Sequence, residues 1–226
     1  MQEKFIVAID GPAGAGKSTI AKIIAQKLGY IYIDTGAMYR AVAWKALQLY
    51  KEPTKQQVEQ IAQDVSIQFI NKADGVNSVV VNGNDVTDNI REPNVTAAAS
   101  KFSAYPVVRS VMSEKQRAMG IHGGVVMDGR DIGTCIFPQA RYKFFLTANV
   151  RVRARRRYSD MLQKGYKGTL EEIESDMIAR DHADSSREIA PLEIAPDAIL
   201  VDSSELGIEE TVNRIYKILQ GECNVL

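Results

Sequence analysis

Residues 11–18 read Gly11-Pro12-Ala13-Gly14-Ala15-Gly16-Lys17-Ser18 and fit the pattern GxxxxGK[ST]. This segment constrains the fold strongly, because it works only between a buried strand and the first turn of a helix. Its backbone N–H groups turn inward around phosphate oxygens, and the helix that follows points its positive dipole end at them. Both flanks fit. Phe5-Ile6-Val7-Ala8-Ile9-Asp10 is a short apolar run suited to a buried parallel strand, and Thr19 to Leu28 reads as a helix closed by Gly29. Strand, loop and helix in this order predict a nucleoside triphosphate held by residues 11–19, Thr19 included. Lys17 reaches the outer phosphates, and the Ser18 hydroxyl is a ligand for Mg²⁺.

The remaining pattern is α/β, with a central parallel sheet flanked by helices. Tyr30-Ile31-Tyr32-Ile33-Asp34 reads as a second strand, followed from Thr35 by a helix through about Leu49. Short apolar strands alternating with helices put helices on both faces of a parallel sheet. Near Asp64 the period changes to two. Val65, Ile67 and Phe69 alternate with polar residues, as do Val79 and Val81, and Asn82-Gly83 supplies a hairpin turn before Asp85-Val86-Thr87. This predicts a small antiparallel insertion. A helical pattern spans Val95 to Arg117. Two core strands are expected at residues 124–128 and 143–146, a basic helix at Arg151 to Lys164 and a charged helix at Leu170 to Arg187. The last strand is expected at residues 198–202, and the final helix begins at about Ile208.

Lys+Arg and Asp+Glu both number 28 in 226 residues, so the formal charge is zero. That balance argues against a dedicated nucleic-acid binder. No apolar stretch reaches the length of a membrane span, and Asp10 interrupts the short N-terminal run, so neither a membrane anchor nor a signal peptide is expected. Cys135 and Cys223 lack metal-ligand spacing and the number for a disulfide framework, and His122 and His182 are isolated. A cytoplasmic protein with reduced thiols follows from these features.

Three constellations carry chemistry beyond the loop. Asp34-Thr35-Gly36-Ala37-Met38-Tyr39-Arg40 ends the second strand, at the edge where open α/β sheets bind ligands. Arg40 there offers a fork that matches a phosphate. Asp128-Gly129-Arg130-Asp131-Ile132-Gly133-Thr134 ends another strand. Asp128 occupies the place of the acidic residue that holds the Mg²⁺ shell. Arg130 and Asp131 pair a donor fork with acceptors, which suits the edge of cytosine. Finally, Arg151, Arg153, Arg155, Arg156 and Arg157 crowd one helix. Pairs at i,i+4 repel unless an anion lies nearby, which suggests a lid over a transferring phosphoryl group. Arg180, Asp184 and Arg187 follow at helical spacing. Asn71-Lys72-Ala73-Asp74 imitates the guanine-reading NKxD of GTPases, but no DxxG separates it from Lys17, so it reads as a polar turn between strands.

Together these residues resemble the bacterial cytidylate kinases of the nucleoside monophosphate kinase group. The resemblance runs from Ile9-Asp10-Gly11-Pro12 to the C-terminal helix, and Ala190-Pro191-Leu192 is among its specific pieces. It implies transfer of the γ-phosphoryl group of ATP to CMP or dCMP, with Mg²⁺, by a chain expected to act as a monomer. It further implies a core (1–34, 92–150 and 190–226), a monophosphate-binding region (35–91, with the insertion at about 64–91) and a lid with its following helix (151–189). Carried onto this sequence, Thr35, Arg40, Arg109 and Arg130 line the CMP site, and Ser100 and Asp131 read the cytosine edge. Arg180, Asp184 and Arg187 engage the ribose and α-phosphate. Lys17, Arg130, Arg155, Arg156 and Arg187 serve the transfer itself, with Ser18 and Asp128 toward the metal. Two rivals follow from the same residues: a nucleotide-dependent switch that transfers nothing, and a kinase for UMP or another small acceptor.

Overall fold

The computed structural model describes residues 4–71, 77–163, 165 and 167–221. Strand β1 (Ile6–Asp10) sends Val7 and Ile9 into one apolar cluster and Ala8 into another, as expected of a strand covered on both faces. Helix α1 (Lys17–Leu28) follows the phosphate loop and stops at Gly29, whose left-handed φ of 64° lets its N–H cap the last carbonyls. Strand β2 (Ile31–Asp34) leads into α2 (Thr35–Leu49), where the Asp34 side chain accepts the N–H of Ala37. Helix α3 (Lys55–Asp64) has no counterpart in the sequence expectations above. Its start carries a capping box in which Thr54 and Gln57 satisfy each other's backbone N–H groups.

The antiparallel insertion is present as β3 (Ile67–Asn71), β4 (Asn77–Val81) and the two-residue β5 (Asn84–Asp85). Val79 and Val81 pair opposite Phe69 and Ile67 and join the apolar cluster of α2 and α3. Residues 72–76, which include most of the NKxD-like stretch, lie outside the described residues; the strands on either side of them pair antiparallel.

The single helix expected from Val95 to Arg117 is two. Helix α4 (Pro93–Phe102) ends at Ser103, and α5 (Pro106–Gly120) begins with proline at its first position. Pro106 has no N–H to donate, and it disfavours helical backbone in Tyr105, which is extended at φ −75°, ψ 124°. The break brings Ser103 and Arg109 toward the same cleft. Strands β6 (Val125–Gly129) and β7 (Tyr142–Thr147), helices α6 (Val150–Leu162) and α7 (Leu170–Ser185), strand β8 (Ile199–Asp202) and helix α8 (Ile208–Leu219) complete the chain.

The main sheet has the order β2-β6-β1-β7-β8, all parallel. From β1 the chain first builds outward on one side and later, after β6, on the other. The carboxyl ends of β1 and β6 therefore open onto a crevice at the point where the direction reverses. The register fixes what lines it: Asp128 stands level with Ile9 and with Asp34, and Gly129 level with Asp10. Three carboxylates from three strands meet at one edge.

Candidate active site

The phosphate loop is held by close packing. Gly11 has φ +147°, and a Cβ there would lie 2.0 Å from the Leu146 carbonyl oxygen, so only glycine fits against β7. Lys17 is buried and its ammonium donates to the Pro12 carbonyl at 2.7 Å. Burial, with Arg130 close by, lowers its pKa to about 7. Gly14 to Thr19 line a second pocket, whose far wall is built from α6 and the start of α8. Gly11 and Pro12 line neither pocket; they shape the loop from behind.

The corner around Asp128 is compact. The Ser18 hydroxyl donates to Asp128 at 3.0 Å, the Tyr32 hydroxyl to its other oxygen at 2.7 Å, and the Thr35 hydroxyl to the Asp128 carbonyl at 2.7 Å. Burial raises the Asp128 carboxyl to about 6, helped by the charge of Asp34 beside it. Since the unfolded carboxyl titrates near 3.8, the native state takes up this proton first as pH falls. Asp128 thus costs stability at pH 7, and the cost is relieved below about 6. Asp128→Asn is accordingly expected to be more stable than wild type at pH 7.5 by about 1–3 kcal/mol, after the loss of its attraction to Lys17, and to melt at a higher temperature. The difference should shrink by pH 5, as thermal melts across pH would read.

Six arginines (40, 109, 130, 157, 180 and 187) and Lys17 line the other crevice against Asp34, Asp128, Asp131 and Asp184. Three carboxylates hold the guanidinium groups in place. Asp34 pairs with Arg40 at 2.8 Å, Asp131 with Arg109 at 2.6 Å, and Asp184 with both Arg130 (2.7 Å) and Arg187. Arg180 lies among them, and burial next to Arg130 lowers it to about 10. Among the described residues, four buried side-chain N or O atoms have no hydrogen-bond partner. Three of them are the Nε atoms of Arg40, Arg109 and Arg180; the fourth is the Ser78 hydroxyl. Three unspent donors in a crevice with excess positive charge fit an oxyanion. Thr35, Ser100 and Ser103 supply hydroxyls along the same wall, and Tyr39 lies 5.7 Å under the Arg109 guanidinium.

The structure brings together Lys17, Ser18, Thr35, Arg40, Ser100, Arg109, Asp128, Arg130, Asp131, Arg180, Asp184 and Arg187, all expected from sequence. It does not bring Arg155 there: that side chain is exposed and lines neither pocket. Arg156 faces the loop pocket, but its guanidinium donates to Ser203 Oγ at 3.2 Å and to the Ser203 carbonyl at 2.6 Å. Arg157, also on α6, lines both pockets. The sequence expectation counted Arg153 among the five arginines of this helix but gave it no place in the site, and it did not include Asp181. Arg153 is buried and donates to the Ala13 carbonyl and the Ala148 carbonyl at 2.8 Å each, and it pairs with Asp181 at 2.7 Å. Asp181 in turn accepts the Ala13 N–H at 3.2 Å. Both backbone groups of Ala13 are thus gripped by α6 and α7. The signal was the i,i+4 spacing of Arg153 and Arg157, which puts them on one face of α6.

Over residues 7–221 the sequence matches the family model described as cytidylate kinase. The chain belongs to the cytidylate kinase family. It is 48% identical over 220 residues to a cytidylate kinase of Geobacillus kaustophilus, covering 97% of this chain and 98% of that one. It is 45% identical over 223 residues to one of Pediococcus pentosaceus, covering 97% of each. Among solved structures, an uncharacterized protein from Eubacterium ventriosum is similar with a TM-score of 0.50 at 12% identity, covering 96% of this chain and 99% of that chain. That likeness concerns the fold alone. Family membership gives the two pockets their context: cytidylate kinases are nucleoside monophosphate kinases, and a phosphate loop facing an arginine-lined crevice offers places for two phosphorylated ligands.

Proposed function

We propose that this chain transfers the γ-phosphoryl group of ATP to CMP or dCMP, with ATP on residues 11–19 and the monophosphate in the arginine-lined crevice. The observation that carries the division is the set of unpartnered Nε donors on Arg40, Arg109 and Arg180, three arginines that line the same crevice as Lys17. In this reading Arg40, Arg130, Arg180 and Arg187 hold the acceptor phosphate and sugar. The Arg109–Asp131 pair and Ser100 face the base, where a fixed carboxylate accepts the cytosine amino group. Lys17 and Arg157 neutralise the transferring group from opposite sides, while Asp184 keeps Arg130 and Arg187 aligned. Residues 151–189 act as the lid that excludes water, and the grip of Arg153 and Asp181 on Ala13 ties their position to the loop.

Mg²⁺ belongs to this reading, and the donors fit it. Ser18 and Asp128 offer hard oxygen ligands beside Asp34. Among the described residues no group of three or more Asp, Glu, His or Cys side chains is arranged to hold a metal ion by itself; Mg²⁺ commonly keeps waters and phosphate oxygens among its ligands. When bound, the ion offsets charge on the phosphate oxygens. No helix among the described residues is long and apolar enough to cross a membrane.

Calorimetric titration tests the division. Arg187→Ala should weaken CMP binding by about 10²-fold, the scale of one lost charge-assisted contact and its neighbours, and leave a non-hydrolysable ATP analogue within about twofold. Equal losses for both ligands would contradict the assignment of the two pockets.

A further inference from the structure

Asp10 is the last residue of β1 and immediately precedes the phosphate loop, yet its side chain serves the opposite half of the site. It is buried, and its two oxygens accept the N–H groups of Ile132 at 2.9 Å and Gly133 at 2.7 Å. Those amides open the tight turn at Ile132–Ile136, a single wide helical turn closed by bonds from Cys135 and Ile136 to the Asp131 carbonyl. The first N–H groups of a helical turn have no partner within it. Usually the residue at the cap position satisfies them with its own side chain. Here that residue is Asp131, a good capping type, and it makes no such bond. Its carboxylate instead reaches Arg109 at 2.6 Å, with both side chains buried.

We propose that Asp10 is a positioning residue for acceptor selection: by capping the Ile132–Ile136 turn from another strand, it frees the Asp131 carboxylate to face the base pocket. Without Asp10, two buried amides lose their acceptor, and the nearest replacement is Asp131 itself, one residue before them. Turning back to cap its own turn would take Asp131 off Arg109 and remove the fixed acceptor from the pocket. The space around the turn is tight. A Cβ on Gly133 would lie 3.3 Å from Asp10 Oδ2 and 3.2 Å from Lys143 Cδ, so the turn has little room to shift instead. The inference rests on the reading of Asp131 as the residue that meets the base.

The test compares Asp10→Asn, Asp131→Asn and the double variant with wild type. Asn keeps the shape of Asp10 but only one acceptor oxygen. The readouts are dissociation constants for CMP and UMP by calorimetry, the KM for ATP, and steady-state CMP/UMP preference. Asp10→Asn is expected to lower the CMP-over-UMP binding ratio about tenfold or more and to leave the KM for ATP within about threefold. The double variant should be no less selective than Asp131→Asn alone, because both act through one carboxylate. A preference unchanged by Asp10→Asn, or losses that add in the double variant, would overturn the proposal. If Asp131→Asn itself leaves the ratio untouched, the reading of Asp131 fails, and the inference with it. Asp10→Ser, which retains a small acceptor, carries the same comparison if Asp10→Asn does not fold; failure of both to fold makes Asp10 a structural residue and sinks the positioning role.

Discussion

Lys17→Met is expected to lower kcat by about 10³-fold while leaving the protein at least as stable as wild type. The two effects have one origin. Lys17 is buried beside Arg130, so its charge is disfavoured in the free protein and its pKa falls from 10.5 to about 7. A lysine whose folded pKa is depressed adds most to stability above its unfolded pKa, and that contribution is lost as pH falls toward the folded value. At neutral pH the ammonium therefore weighs against the fold, and methionine, of similar length, removes that load. During transfer the same ammonium faces accumulating negative charge. Losing a preorganised cation there costs about 4 kcal/mol of transition-state stabilisation, which is the thousandfold. Thermal melts without nucleotide and single-turnover rates at saturating ATP and CMP check both halves. A destabilised Lys17→Met protein would contradict the electrostatic argument, and an active one would remove Lys17 from the reaction.

Asp184→Ala is expected to act in the opposite sense on stability and in the same sense on activity. Asp184 is buried, binds Arg130 and Arg187 directly, and lies near Arg180. Those cations hold its carboxyl below the usual range, so it contributes stability above pH 3.8 that is lost only as pH falls through its lower native value. Removing it leaves three guanidinium groups crowded without their shared counter-charge. Breaking a buried ion pair from one side typically costs about 3–5 kcal/mol, and the melting temperature should fall accordingly. The kcat/KM for CMP should drop by about 10²-fold as Arg130 and Arg187 lose alignment. One signature separates this from general damage. CMP supplies the missing negative charge, so it should raise the melting temperature of Asp184→Ala by more degrees than that of wild type once both are saturated.

The features legible in the sequence share a physical basis: each is local or repeats along the chain. The phosphate loop announces itself because strand, glycines, Lys17-Ser18 and helix are contiguous. The parallel strands show as apolar runs, and the insertion shows as a period of two ending at Asn82-Gly83. Helix α3 was legible too, since Thr54 and Gln57 form a capping box and Val58, Ile61, Ala62 and Val65 fall at helical spacing. The break before Pro106 also left a sign, because a proline inside a helical pattern marks a boundary.

Other features needed the fold. Arg153 and Arg157 share a face of α6, but only the packing of α6 on the loop decides that Arg153 grips Ala13, that Arg157 faces the pockets and that Arg155 points to solvent. Asp10 is more distant still. Its partners lie 122 and 123 residues away and are backbone amides, so no pattern of side chains records the contact. The pairing of β1 with β6 creates it. The site was readable as a set of charges; which charge holds which group was not.

On the proposed function, the phosphate loop is the donor half of a two-nucleotide site whose other half selects cytidine monophosphates. A coupled assay of ADP formation with ATP, Mg²⁺ and each nucleoside monophosphate in turn, with diphosphate product identified in every case, decides between this and its rivals. CMP and dCMP should yield their diphosphates with kcat/KM at least about 10²-fold above AMP and GMP, and above UMP by the margin that the Arg109–Asp131 pair supplies, about 1–3 kcal/mol or some ten- to hundredfold. ADP release without any diphosphate acceptor product, or equal rates for all monophosphates, would contradict it.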